Sequence, residues 1–474
     1  MSIIDLGKQS LIYGAGHVLA RLITFLLLPL YTHTFTQDEY GALSLAYAFM
    51  GFALILYRYG MDTAMMKYSV QKEGSERKKY ITLIIVTQFI TSFLFTFIIY
   101  FTRLSTAEYV LGTYQPDWIS YLAVILFFDA LWNLPLLILR SEEKAIPYIF
   151  LSLLNVILTM ALNVMFVVYL EQGIEGVFIA NIIASAFIFL VSLPIVIKRV
   201  VFDFFEKDIF FKVIQFALPF LPAGIFTMVM ELSDRYLLEF YLSTAEVGLY
   251  SAGKKMGMLG LTIVMGFNMG WTPYFLKQGE DESARNQFSK IATIFLGFMG
   301  FVTLVVSLWI SNIMRIPIGA GTLIGSEFWD CEPVVKIILF GYFFFGTYVI
   351  QLPGVYIKEI TKWVPVFRIC GALSLIIFCV ILIPKIGFIG AAYSVLISFV
   401  LMSFAIYIRT HNIYEIPYNW RGILYPIVFL VFIQVYEFDF LSKVILSIGY
   451  PVCWYFIAAD KDEKDGFKRL TEWW

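Results

Sequence analysis

Residues 145–170, AIPYIFLSLLNVILTMALNVMFVVYL, run from end to end without Asp, Glu, Lys or Arg. A helix needs about 20 mostly apolar residues to cross the roughly 30 Å of bilayer hydrocarbon, and this stretch exceeds that length. It is too long for a barrel strand and lacks strict alternation, so an α-helix is the backbone solution that satisfies its own polar groups in lipid. The pattern recurs at residues 80–102, 176–197, 256–276, 291–314, 337–357 and 386–408. Shorter or once-interrupted runs occupy 9–33, 40–57, 117–139, 213–233, 364–384, 422–436 and 444–459. The expectation is an all-α polytopic membrane protein of about 14 transmembrane helices, the last two being the shortest.

Composition agrees. Of 474 residues, 60% are hydrophobic and only 15% charged, with a mean hydropathy of +0.81. Soluble domains carry about 25% charge. The four cysteines, Cys331, Cys370, Cys379 and Cys453, are too few and scattered for a disulfide scaffold. A net charge of −1, with 34 basic against 35 acidic residues, excludes a nucleic-acid partner. The first apolar stretch runs into Pro29 and Tyr31 with no small-residue cleavage site, so no cleavable signal peptide is expected.

Lys and Arg crowd alternate loops, as in Lys67, Lys72, Arg77, Lys78 and Lys79 or Lys198, Arg199, Lys207 and Lys212. Arg103, Arg235, Arg315, Lys336, Lys385 and Lys443 fall on the opposite side. The positive-inside bias then places both termini in the cytoplasm. No loop is long enough to hold a soluble catalytic domain, and His17, His33 and His411 lack metal-ligand spacing. The expectation is a protein that is not an enzyme and has no cofactor.

An internal repeat organises the spans. Phe35–Ser44 (FTQDEYGALS) aligns with Leu242–Ser251 (LSTAEVGLYS) at an offset of 207, with Glu, Gly and Ser coinciding. Glu143–Pro147 aligns with Thr361–Pro365, and Gly173–Gly176 with Gly387–Gly390, at offsets of 218 and 214. Six spans separate matched positions, so the halves share one orientation and are related by an axis along the membrane normal. The expected organisation is a six-helix lobe over 1–205, a second over 206–410, and two further helices with a cytoplasmic tail over 411–474. Alternatively, the matches mark only a recurrent helix–loop–helix packing unit.

Several strings resemble a known group. Arg21, Pro29-Leu30-Tyr31 and Thr36-x-x-Glu39-Tyr40-Gly41, followed by Gly60-Met61-Asp62-Thr63-Ala64, are similar to the first hairpin and next loop of the Wzx-type O-antigen and capsule flippases. Asp234-Arg235-Tyr236, then Ala245-Glu246-Val247-Gly248-Leu249-Tyr250-Ser251, and Trp271-x-Pro273 also fit that group. It lies within the multidrug/oligosaccharidyl-lipid/polysaccharide exporter superfamily, and the resemblance covers roughly residues 1–410. It implies a MATE-like fold in the cell inner membrane. It further implies transfer of undecaprenyl-diphosphate-linked oligosaccharide from the cytoplasmic to the periplasmic leaflet, with H+ or Na+ coupling and a polymerase and chain-length regulator as partners. The sugar is not implied.

Charges inside spans are costly, about 2.5–3.5 kcal/mol on insertion scales, and mark function by default. Arg21 lies mid-way along the first span, with Lys254 and Lys255 near the start of the eighth. They are candidates to hold the substrate diphosphate in a cationic cavity, Arg21 through forked hydrogen bonds; alternatively, the lysines snorkel to an interface. Glu231, Asp234, Arg235 and Glu239 are spaced by three and four residues, either an outer gate or a solvated helix end. Asp129 and Asn133, one turn apart, and the stripe Asn155, Thr159 and Asn163 are candidates for ion coupling or for plain interhelical bonding. Two other functions remain open. A multidrug antiporter of the same superfamily would favour an acidic cavity; an O-antigen polymerase or ligase would need a larger external loop.

Overall fold

The structure, a computed structural model, describes residues 25–111, 115–279, 282–319, 321–460 and 464. It is helical except for a small hairpin of Pro317–Ile318 (β1) against Gly321–Thr322 (β2). Two compact units divide the chain, residues 1–248 and 249–474.

The first unit contains α1 (Leu27–Thr34), α2 (Gln37–Arg58), α3 (Met61–Gln71), α4 (Gly74–Phe101), α5 (Arg103–Leu111) and α6 (Pro116–Ser141). It continues with α7 (Ala145–Asn163, extended by a π turn over Val164–Tyr169), α8 (Gly173–Ile197), α9 (Lys207–Ala217) and α10 (Phe220–Tyr241). The long α11 (Thr244–Gln278) starts in this unit.

Helix α2 begins where Thr36-x-x-Glu39 closes a reciprocal cap. Thr36 Oγ1 accepts from Glu39 N–H at 3.3 Å, and Glu39 Oε2 accepts from Thr36 N–H at 2.9 Å. Two otherwise orphaned donors are thereby satisfied. It ends where Tyr59 (φ 29°) and Gly60 (φ 85°) turn left-handed. Gly60 is required twice over, because a Cβ there would also strike the Ala217 carbonyl. Helix α6 is the centre of the unit, packed by α2, α3, α4, α5 and α8, with Leu122, Leu126, Leu134 and Ile138 fully buried. One face of α4 is the opposite case. Phe89, Phe93, Phe97 and Phe101 recur every fourth position and are all exposed, a phenyl ladder suited to lipid rather than water.

The crossing of α2 with the start of α11 depends on two glycines. A Cβ on Gly41 would run into the Thr244 carbonyl, and a Cβ on Gly248 would run into the Gln37 carbonyl. Small residues that let backbones meet are the means by which helices associate in lipid, where burial of apolar area gives little drive.

The second unit contains α12 (Glu282–Met314), α13 (Glu332–Ile350), α14 (Leu352–Ile357), α15 (Trp363–Ile386), α16 (Phe388–His411), α17 (Trp420–Val435) and α18 (Phe440–Cys453). Its core helix is α13, buried along most of its length. The close pair α15–α16 turns at Gly387 (φ 65°), and α16 faces its neighbours with Gly390, Ala391, Ser394 and Ser398. The last two helices pack on α12. Tyr450 Oη donates to the Gly297 carbonyl at 3.1 Å, and the Trp454 ring covers the space where a Gly297 side chain would be. No disulfide joins Cys331, Cys370, Cys379 or Cys453 among the described residues.

Among the described residues, 11 helices are long and apolar enough to cross a membrane, and Trp420–Val435 is a shorter apolar one. The expected span 256–276 lies on α11, whose amino-terminal half carries Glu246, Lys254 and Lys255. Most of the expected first span, 9–33, lies outside the described residues.

Candidate functional site

In the first unit, polar side chains on α1, α2, α6, α7 and α8 converge between otherwise apolar helices. Asp129, mid-way along α6, accepts at Oδ1 from Ser185 Oγ (2.6 Å) on α8 and from Trp132 Nε1 (2.9 Å) on its own helix. Asp129 remains partly accessible. The Arg58 guanidinium, on the last residue of α2, is held in the electrostatic field of Asp62 and Asp129, while its Nε is buried without a hydrogen-bond partner among the described residues. Beside them Tyr47 accepts from Asn181 Nδ2 at 3.3 Å and interacts with the Tyr31 hydroxyl. Tyr31 Oη in turn donates to Asn163 Oδ1 at 2.9 Å.

A carboxylate and a guanidinium within spans are retained against a penalty of several kcal/mol per ion, offset only where partners are close. Here the partners are few. The arrangement can take up and release a proton or bind a small cation, with Ser185 and Trp132 holding the carboxylate in place.

All of the residues expected from sequence except Arg21 have a definite place. Asp129 and Asn163 both belong to this polar zone, linked through Tyr47 and Tyr31. Asn163 also donates to the Thr159 carbonyl at 2.8 Å. Asn133 and Asn155 make no hydrogen bond among the described residues, and the Asn155 Oδ1 is buried without one. On α10, Asp234 is fully buried and accepts from Arg235 N–H at 3.0 Å. Arg235 Nη1 reaches the Ser44 carbonyl at 3.4 Å, and no ion pair joins it to Glu231 among the described residues. Glu239 Oε1 accepts from Thr244 Oγ1 at 2.9 Å. Lys254, in the second unit, is 4% exposed with Nζ 5.7 Å from the Tyr250 ring centroid, whereas its neighbour Lys255 is half-buried. Arg21 lies outside the described residues.

Two features were not found from sequence. Arg58 reads there as a loop arginine next to a glycine; only the packing of α2 against α6 brings it to Asp129. The second is a basic cluster at the ends of α4, α6 and α8. Glu142 accepts from Arg199 Nε at 2.6 Å and Nη2 at 2.5 Å, from Arg77 Nη2 at 3.1 Å and from Lys144 Nζ at 2.9 Å. The forked Arg199 bonds hold the Glu142 carboxyl down at about 2. This ties three helix ends together.

The family model described as "Polysaccharide biosynthesis protein" matches residues 6–278. Two Haemophilus influenzae proteins are similar. One, an "Uncharacterized membrane protein", is 25% identical over 309 residues, covering 63% of this chain and 73% of its own. The other, "Lsg locus putative protein 1", is 22% identical over 276 residues, covering 56% and 65%. Among solved structures, the lipid II flippase MurJ in an inward closed conformation superposes with a TM-score of 0.71 at 15% identity, covering 93% of this chain and 97% of its own. An inward-facing multidrug resistance MATE family transporter of the MOP superfamily gives 0.66 at 14% identity, covering 88% and 99%. At these identities the likeness concerns the fold.

Proposed function

This chain belongs to the polysaccharide biosynthesis protein family, and from that membership we propose that it is a flippase of the MOP superfamily. Its cargo is an undecaprenyl-diphosphate-linked oligosaccharide, a repeat unit of O-antigen, capsule or exopolysaccharide. The chain moves it from the cytoplasmic to the outer leaflet of the inner membrane by alternating access of the lobes 1–205 and 206–410, and it is a carrier rather than an enzyme. The observation that carries this reading is family membership joined to charged side chains within apolar helices, Arg58 and Asp129 in the first unit and Lys254 in the second.

The division of labour follows from charge. Arg21 and Lys254, with Lys255 beside it, hold the diphosphate, whose headgroup cannot enter hydrocarbon without matched charge. Asp129, lightly bonded, exchanges H+ or Na+, with Asn163 completing its polar surroundings. Glu231, Asp234 and Arg235 on α10 rearrange as the outer gate. Both termini lie in the cytoplasm, and the polymerase and chain-length regulator receive the product.

The likeness to a MATE transporter favours one second reading, a multidrug antiporter. Deletion of the locus separates the two. Lipid-linked repeat units accumulating at the inner leaflet support the flippase; unchanged glycan with increased sensitivity to cationic drugs supports the antiporter.

A further inference from the structure

In the second unit, a recess of about 250 Å³ opens where α12 and α13 meet the end of α17 and the start of α18. Its wall is polar. Glu332 Oε1 pairs with Lys336 Nζ at 2.6 Å, and Glu332 Oε2 accepts from Ser311 Oγ. Lys443 Nζ donates to Asn312 Oδ1 at 3.2 Å, and Tyr436 and Glu437 stand at the rim. Ser307, one turn before Ser311, lines the recess, is 2% exposed, and has no hydrogen-bond partner for its Oγ among the described residues. One turn earlier on the same face of α12, the fully buried Thr303 Oγ1 is equally unsatisfied.

We propose that this recess is a binding subsite for one uncharged sugar ring. Three observations carry the assignment. Two carboxylates and two ammonium groups line it, so the wall is charge-balanced, and an ionic ligand would leave one sign unmatched. Donors and acceptors of both kinds alternate over a small area, with the Tyr436 ring at the rim, which suits a polyhydroxylated ring that both donates and accepts. The volume lies below the roughly 300–1,000 Å³ usual for drug-sized ligands, which limits the occupant to a single ring. Ser307 is the fixed point, because a buried hydroxyl on the recess wall without a partner is costly unless a ligand or water completes it. The site lies apart from Asp129, Arg58 and the lysines of α11, and does not depend on the flippase reading.

The test uses the full chain in lipid nanodiscs. Saturation-transfer NMR with methyl α-glucoside and methyl N-acetylglucosaminide, and a parallel arm with a glucosyl diacylglycerol in the nanodisc lipid, read binding without transport. A saturable signal from either arm is expected, weakened about tenfold by Ser307→Val, which removes the buried hydroxyl. Tyr436→Ala, at an exposed position, is expected to weaken it as well and remains informative where Ser307→Val fails to fold. A response confined to the glycolipid identifies a lipid headgroup as the source of the ring; one confined to the methyl glycosides identifies a soluble saccharide. No saturable binding in either arm overturns the proposal. So does binding indifferent to the folded variants, or displacement of the sugar by inorganic phosphate.

Discussion

Gly41 and Gly248 meet in a reciprocal contact. The backbone that a side chain on Gly41 would strike is Thr244, and the backbone that a side chain on Gly248 would strike is Gln37. The separation of 207 residues that aligns the sequence repeat also relates Gln37 to Thr244 and Gly41 to Gly248. Each repeat therefore presents the same turn of helix to the other, as in a self-complementary two-fold contact.

Gly41→Ala and Gly248→Ala should each lower the melting temperature of the detergent-purified protein, by the equivalent of about 1–3 kcal/mol. Because both disturb one crossing, the double variant should lose less than the sum of the two. Fully additive losses would show that the glycines do not share a contact.

Arg58 and Asp129 should behave as a compensated pair. Removing Arg58 takes away the cation that acts on Asp129, at a cost of about 3–5 kcal/mol, whereas removing Asp129 leaves Arg58 still facing Asp62. Arg58→Met should depress thermal stability more than Asp129→Asn does, and more than the double variant does. A double variant worse than either single one would refute the pairing.

Transport should separate Asp129 from its neighbours. Asp129→Asn should abolish the dependence of glycan export on the proton or sodium gradient, measured in vesicles under imposed gradients. Ser185→Ala should retain the dependence with a shifted optimum. An unaltered gradient response in Asp129→Asn would leave this carboxylate a structural role alone.

Glu142 gives an acid-linked stability difference. Its carboxyl is held at about 2 by Arg199, against an ordinary value of 4.5. A depressed carboxylate stabilises fully above its unfolded value, and that contribution fades as pH falls through the folded one. The wild-type advantage over Glu142→Gln in melting temperature should hold at pH 7 and shrink between about pH 4.5 and pH 2. A constant gap across that window would show that the charge contributes nothing.

Lys254→Ala should reduce flipping at least tenfold while leaving expression intact, because one lost charged hydrogen bond to a substrate phosphate costs about 1.5–3 kcal/mol. Counting lipid-linked repeat units in the inner leaflet checks this. Normal flux would detach Lys254 from the substrate path.

The sequence revealed long apolar runs, and these became helices because lipid permits little else. Arg58 was not legible in sequence. Its significance comes from Asp129 on another helix, and nothing within 70 residues of Arg58 marks that meeting. Glu142 was passed over for the same reason, since two of its three cations, Arg77 and Arg199, come from helix ends that only packing assembles. Asn155 shows the converse limit. A three-residue stripe at a spacing of four predicted one shared polar face, but only Asn163 of that stripe reaches Tyr31.

The outward phenyl rings of α4 also bear on the host bilayer. From residue 80 to 101 the helix is uncharged and at 1.5 Å per residue spans about 33 Å, slightly more than the roughly 30 Å of average hydrocarbon. In thinner lipid the segment must lean or the leaflet must swell around it. Acyl-chain length thereby becomes a setting on how freely this protein moves.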